Sequence, residues 1–327
     1  MGSGPSGEEE LIARHFRPLA SHPGALGLTD DAAFLQPPEG ADLVLTKDAI
    51  VAGTHFFPDD PPDAVARKAL RVNLSDLAAK GALPIGFLLA LALPADHADD
   101  WLTQFAAGLA ADAEAFACPL LGGDTVRTSG PATVSITAIG TVPRGTMVQR
   151  KGALPGDRIV VTGTIGDAAL GLALRRERGP QGGEAGEAAL IARYLTPQPR
   201  LVLAGAVRRW ATAAMDVSDG LVGDLERLCR ASGVGAIVQL EAVPLSPQAR
   251  AMIGTDADLF ANALTGGDDY EILASVPEHN LAALREQAER AGIALTEIGT
   301  VTANAEVAFV DTGGAPVRFA RGAFSHF

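Results

Sequence analysis

Cysteine is almost absent from these 327 residues: only Cys118 and Cys229 occur, with no CxxC and no histidine pair at zinc spacing. Neither a disulfide framework nor a structural zinc site is indicated, and a reducing, cytoplasmic setting is the expectation. Lysine is also scarce, at positions 47, 68, 80 and 151 alone, and the formal net charge is −13. That balance disfavours nucleic acid and anionic membrane surfaces as partners, and an anionic substrate would need cations as intermediaries. No apolar run reaches the ~18–20 residues that span a bilayer, and "MGSGPSGEEE" lacks the basic and apolar parts of a signal peptide. Also missing are GxxxxGK[ST], GxGxxG and GxSxG, so the common nucleotide-binding and hydrolase folds gain no support.

What is present is a folded, apolar chain: 47% hydrophobic, 20% charged, with a mean hydropathy of +0.19. Its length fits two domains. Residues 1–7 read as a tail and 8–20 as a helix; "TDDAAFLQ" reads as a turn and short strand, and 42–47 as a second strand. A helix opens at Pro61-Pro62 and closes at Gly81, with Leu70, Leu74 and Leu77 at helical spacing. "PIGFLLALALP" reads as a buried strand, 97–117 as a helix and 133–142 as a strand. Gly and Pro in "PRGTMVQRKGALPGDR" mark a boundary near residue 150, giving domains 8–150 and 151–327. Strand, glycine turn and helix then recur, with "RGPQGGEAGEAA", 178–189, as a surface loop. Two α+β or α/β domains follow.

Aspartates punctuate this pattern. Asp30-Asp31, Asp48, Asp76, Asp124, Asp216 with Asp219, and Asp268-Asp269 nearly all fall at a strand end, a glycine turn or a helix start. Asp219 alone reads as a helix N-cap and any single turn aspartate as an Asx turn. Asp224 reads as a solvated helix residue. Converging carboxylates repel unless cations neutralise them, and Mg²⁺ with its waters bridges carboxylates to phosphates. Backbone N–H groups at "GGDT" and "GTIGDAA", with Arg150, are candidate phosphate holders. His55, beside Phe56 and Phe57, reads from its neighbours as a packing residue.

Together "TDDAAFL", "LTKDAIVAGTHF", "ALRVNLSDLAAKGALP", "LLGGDT", "RKGALPGDRIVVTGTIGDAALGLAL", "MDVSDGLVGDL", "LTGGDDYEIL" and "GAFSHF" resemble the thiamine-monophosphate kinases, within the superfamily of aminoimidazole ribonucleotide synthetase and selenophosphate synthetase. The resemblance covers nearly the whole chain. It implies ATP-dependent phosphorylation of thiamine monophosphate to thiamine diphosphate with several Mg²⁺ ions. It also implies a homodimer whose N-terminal mixed sheets pair into a barrel, with a C-terminal α/β domain completing the ATP and substrate site. By motif, Asp31, Asp48, Asp76, Asp124, Asp216 and Asp219 would be metal ligands. Gly123, Asp124, Arg150 and Ser218 would contact ATP, while His55, Asp268 and Phe324 would face thiamine monophosphate. The family's Thr-Asp is Lys47-Asp48 here, its Gly-Asp-Asp is Thr29-Asp30-Asp31 and its Gly-Glu-Asp-Tyr is Gly267-Asp268-Asp269-Tyr270. An ammonium at Lys47 beside a metal site would replace one metal's charge or obstruct it. A purine-pathway cyclase and a non-catalytic metal- and nucleotide-binding homologue are the competing readings.

Overall fold

The computed structural model describes residues 7–94, 99–179 and 184–320, so Phe324, residues 1–6 of the tail and 180–183 of the expected loop lie outside the described residues. The chain divides into two compact units, Met1–Leu77 with Leu83–Gly145, and Ala78–Ala82 with Thr146–Phe327.

The first unit opens with α1 (Gly7–Leu11), which passes into a π turn at Ile12–Phe16 and a 3₁₀ turn at Arg17–Leu19. The single helix expected over 8–20 is thus three short pieces, and Pro18, with no N–H to donate, lies in the last. Residues 32–38 take no regular structure, against the expected short strand, and Pro37 and Pro38 withhold ladder donors there. Next come β1 (Ala41–Val51), α2 (Pro62–Ala79), β2 (Leu83–Pro94), α3 (Asp99–Ala115), β3 (Leu120–Thr128) and β4 (Thr133–Pro143). They form an open four-stranded sheet of order β1-β4-β2-β3, parallel between β2 and β3 and antiparallel elsewhere.

β1 alternates. Val44 and Ile50 are buried, whereas Leu43, Leu45, Lys47 and Ala49 are exposed on the other face. Leu70, Leu74 and Leu77 of α2 are fully buried, as their spacing predicts. The carboxylate of Asp112 on α3 ties that helix to α2 through Arg67 at 3.0 Å and Arg71 at 2.6 Å.

The second unit contains β5 (Arg158–Thr162), α4 (Asp167–Arg178), α5 (Ala185–Leu195), α6 (Ala204–Trp210), β6 (Ala213–Asp216), α7 (Leu221–Ser232) and β7 (Gly235–Gln239). There follow α8 (Pro247–Ile253), α9 (Ala257–Thr265), β8 (Ile272–Val276), α10 (Glu278–Arg290), β9 (Leu295–Thr302), β10 (Val307–Val310) and β11 (Pro316–Val317). The seven-stranded sheet runs β11-β10-β7-β9-β5-β8-β6, with β10 and β7 parallel and the other pairs antiparallel. Both faces are covered. Ile159 and Val161 of β5 join one apolar cluster with Leu225 and Leu228, while Val160 joins another with Val276 and Leu284. That sandwiching explains why the strand reads as an unbroken apolar run. Within the expected 178–189 loop, α5 begins at Ala185 because Glu184 and Glu187 form a reciprocal capping box.

Candidate functional site

In the first unit the edge strand β3 carries "GGDT" in extended form, with Gly123 paired to Leu89 and Asp124 to Ala90 of β2. A Cβ at Gly123 would sit 1.9 Å from the Leu89 carbonyl oxygen, so only glycine fits this close approach. Beside it lies a cavity of about 530 Å³ whose lining includes Asp30, Asp31, Leu88, Gly123 and Asp124. The structure therefore brings Asp31, Gly123 and Asp124 to one cleft, with both aspartates exposed.

Asp76 stands on α2 and accepts a hydrogen bond from the Thr46 hydroxyl of β1. Asn73, one turn earlier, accepts the Asp48 N–H at 3.1 Å. Thr46 and Asp48 share one face of β1, and Lys47 lies on the other, donating to the Ser135 hydroxyl at 2.8 Å. The expected ammonium at the metal site is thus corrected: strand alternation turns it away from Asp48.

His55 follows β1 in a turn. Its Nδ1 accepts the Val51 N–H at 3.1 Å, which leaves the proton of a neutral ring on Nε2. The buried Lys68 donates to the His55 carbonyl at 3.1 Å, fixing the same turn.

In the second unit two distant motifs are joined by backbone hydrogen bonds. Asp268 N–H donates to the Ser218 carbonyl, Tyr270 N–H to the Val217 carbonyl and Val217 N–H to the Glu271 carbonyl, each at 2.8 Å. A Cβ at Gly267, where φ is +78°, would meet the Ser218 carbonyl oxygen at 2.3 Å. Asp268 and Tyr270 themselves hold positive φ of 65° and 52°, a costly conformation for residues with side chains. Asp216 at the end of β6, Ser218, Asp219 and Asp268 are thereby brought to one place. Arg150 is exposed on a segment pinned nearby: Ser232 receives the Gly152 and Ala153 N–H groups, and Gln149 accepts the Ala214 N–H.

Two expectations about these loops are corrected. The N-cap of α7 is Gly220 with no side-chain cap, so Asp219 does not cap the helix. Asp224 is not solvated; it is 0% exposed and accepts the Ser218 and Asp219 N–H groups at 3.0 and 2.9 Å. Arg227 bridges it at 2.7 Å to Asp219 at 2.5 Å. Burial raises the Asp224 carboxyl above its ordinary range despite those donors.

In the "GTIGDAA" turn three of the candidate phosphate-holding N–H groups, those of Gly163, Ile165 and Gly166, are engaged within the fold. Gly163 donates to Ala294, Ile165 to Pro244, and Gly166 to the buried carboxylate of Asp269. Behind it, Glu271 is fully buried and binds Arg193 at 2.8 Å, Arg200 at 2.6 Å and the Thr162 hydroxyl at 2.7 Å. Arg193 and Arg200 lie in no motif, so sequence reading missed them.

Among the described residues no three carboxylate, imidazole or thiolate groups gather to hold a metal by themselves. The donor set nevertheless fits Mg²⁺, which takes one or two carboxylates together with water and substrate phosphates rather than a full protein cage. Asp31 with Asp124 at one cleft is such a pair.

Comparison with known proteins agrees with this architecture. The AIR synthase related protein N-terminal domain matches residues 29–142 and its C-terminal domain residues 155–312. The thiamine-monophosphate kinase of Caulobacter vibrioides is 47% identical over 301 residues, 90% of this chain and 84% of that protein. The crystal structure of thiamine-monophosphate kinase from Stenotrophomonas maltophilia K279a superposes with a TM-score of 0.84 at 38% identity, covering 94% of this chain and 96% of that one. AaThiL complexed with AMPPCP and TMP gives 0.78 at 32% identity, covering 91% of each chain. The chain belongs to the thiamine-monophosphate kinase family of AIR synthase related proteins.

Proposed function

We infer that the chain transfers the γ-phosphoryl group of ATP to thiamine monophosphate, forming thiamine diphosphate and ADP. The observation that carries this is the match along nine-tenths of the chain to a ThiL bound to AMPPCP and TMP. In the reaction an acceptor phosphate oxygen bonds to the γ-phosphorus as the bond to the β,γ-bridging oxygen breaks, and ADP leaves with that electron pair. The acceptor is already largely ionised near neutral pH, its second pKa being about 6, so no strong general base is required.

The chain's task is positioning and charge balance. Asp31, Asp48, Asp76 and Asp124 of the first unit and Asp216 and Asp219 of the second are the proposed Mg²⁺ ligands. Bound there, Mg²⁺ supplies the positive charge that lets two phosphates approach. Gly123, Asp124, Arg150 and Ser218 contact the nucleotide. The His55 tautomer suits a donor to the acceptor phosphate, and Asp268 and Phe324 face the thiamine moiety. The exposed apolar face bearing Leu43, Leu45 and Leu83 supports a homodimer joined through these sheets. No helix is long and apolar enough to cross a membrane among the described residues, and both cysteines are free. The protein works in the cytoplasm. With Lys47 turned from Asp48, the observation that favoured a non-catalytic homologue is removed.

Incubation with Mg²⁺, ATP and thiamine monophosphate, followed by ³¹P NMR, tests the reading. Thiamine diphosphate and ADP appear in equal amounts, and Asp48→Asn, Asp124→Asn or Asp216→Asn abolishes both. ATP binding with no thiamine diphosphate overturns it.

A further inference from the structure

The loop between β6 and α7 presents Ser218 and Asp219, yet its shape is set by two residues one to two turns into the helix. Asp224 receives two successive loop N–H groups on a single oxygen, Oδ2, at 3.0 and 2.9 Å. Its other oxygen takes Arg227, whose same Nη1 also holds Asp219 Oδ2. Three features make this more than ordinary capping. The hydrogen bonds reach residues ahead of the N-cap Gly220, so they define the loop rather than the helix start. Asp224 has no exposed surface, so its geometry has little freedom. The guanidinium fixes the one loop carboxylate to which the reaction assigns a metal, and the same loop is bonded through Ser218 to the Asp268 turn.

We propose that Asp224 and Arg227 are positioning residues for phosphoryl transfer: Asp224 sets the loop backbone that presents Ser218, and Arg227 sets the rotamer of Asp219. This rests on the assignment of Ser218 to nucleotide and Asp219 to metal. Partners that orient a ligand in this way are worth about ten- to a hundredfold in affinity or activity.

The test uses Asp224→Asn, Arg227→Gln and Arg227→Lys in the full chain. Hydrogen exchange of the 216–220 segment, without ligands, reads the loop. Calorimetry with a non-hydrolysable ATP analogue and Mn²⁺ reads binding, and steady-state kinetics reads KM for each substrate. Asp224→Asn and Arg227→Gln exchange this segment at least about tenfold faster and raise the analogue's Kd and the KM for ATP about ten- to a hundredfold. KM for thiamine monophosphate stays near the parent's, and Arg227→Lys recovers part of the loss. Unchanged exchange and unchanged analogue affinity in Arg227→Gln overturn the proposal, and because Arg227 is a third exposed this variant stays decisive even where Asp224→Asn fails to fold. Should the parent bind the analogue but leave thiamine monophosphate unphosphorylated, the proposed reaction fails, while weakened binding in the variants still upholds the positioning role.

Discussion

Glu271 offers the sharpest test of how the second unit is held together. Its side chain is wholly buried and sits between two guanidiniums, Arg193 at 2.8 Å and Arg200 at 2.6 Å, with the Thr162 hydroxyl at 2.7 Å. Glu271→Gln keeps the shape and removes the charge, leaving two cations facing a neutral amide. Breaking a buried pair from one side costs about 3–5 kcal/mol. The arginine side chains are 19% and 20% exposed, so water recovers part of that, and the lower end, about 3 kcal/mol, is expected. For a unit of this size that lowers Tm by about 6–12 °C. Near-UV circular dichroism during heating, with urea titration at 25 °C, measures it. Glu286→Gln, which loses only the exposed pair with Arg290, serves as the control and shifts stability by no more than ~0.5 kcal/mol. A Glu271→Gln melt indistinguishable from that of Glu286→Gln would refute the reasoning.

Three further outcomes are expected. Burial, with Asp167 and Glu271 nearby, raises the Asp269 carboxyl well above its ordinary range despite the Gly166 N–H and Arg193. The folded state then binds more protons than the unfolded one above about pH 4, so stability falls as pH rises through the folded pKa; urea midpoints for Asp269→Asn should gain on the parent with rising pH, and a constant difference would sink the assignment. Cys118 and Cys229 are buried and their thiols are pushed up to about 12 and about 11, so a thiol reagent at mildly alkaline pH labels neither until denaturant is added; rapid native labelling would contradict this. Leu45 is 64% exposed, and Leu45→Glu should convert a dimer by light scattering to the 33.5 kDa monomer while far-UV circular dichroism is retained; a parent that is monomeric at micromolar concentration refutes the shared sheet.

The "DVSDG" and "GGDDYE" loops were legible in the sequence because glycine turns and isolated aspartates are local signals, and β2 and β5 because their apolar runs are unbroken, whereas "GGDT" is extended strand rather than a turn. Asp224 was wrongly read as a solvated residue, although its spacing held the warning. It lies three residues from Leu221 and four from Leu228, on the apolar face of α7, where a carboxylate needs a partner. Lys47 likewise follows from counting alternate residues along β1. What no local pattern carries is the gathering of Arg193, Arg200 and Thr162 on Glu271, or the joining of 217–218 to 268–271, since these depend on strand order in a seven-stranded sheet. The helix starting at Ala185 was hidden by composition, glutamates and glycines reading as loop.

β1 gives its two faces different employers, Thr46 and Asp48 on one side and Leu43, Leu45 and Lys47 on the other. Inserting one residue before Thr46 would turn 46–51 over relative to Leu43 and Leu45, sending the carboxylate outward and the ammonium inward, whereas a two-residue insertion would restore the assignment. A single-codon insertion here would therefore remove the proposed metal ligand Asp48 from its face while Leu43 and Leu45 keep theirs, and only even steps preserve both.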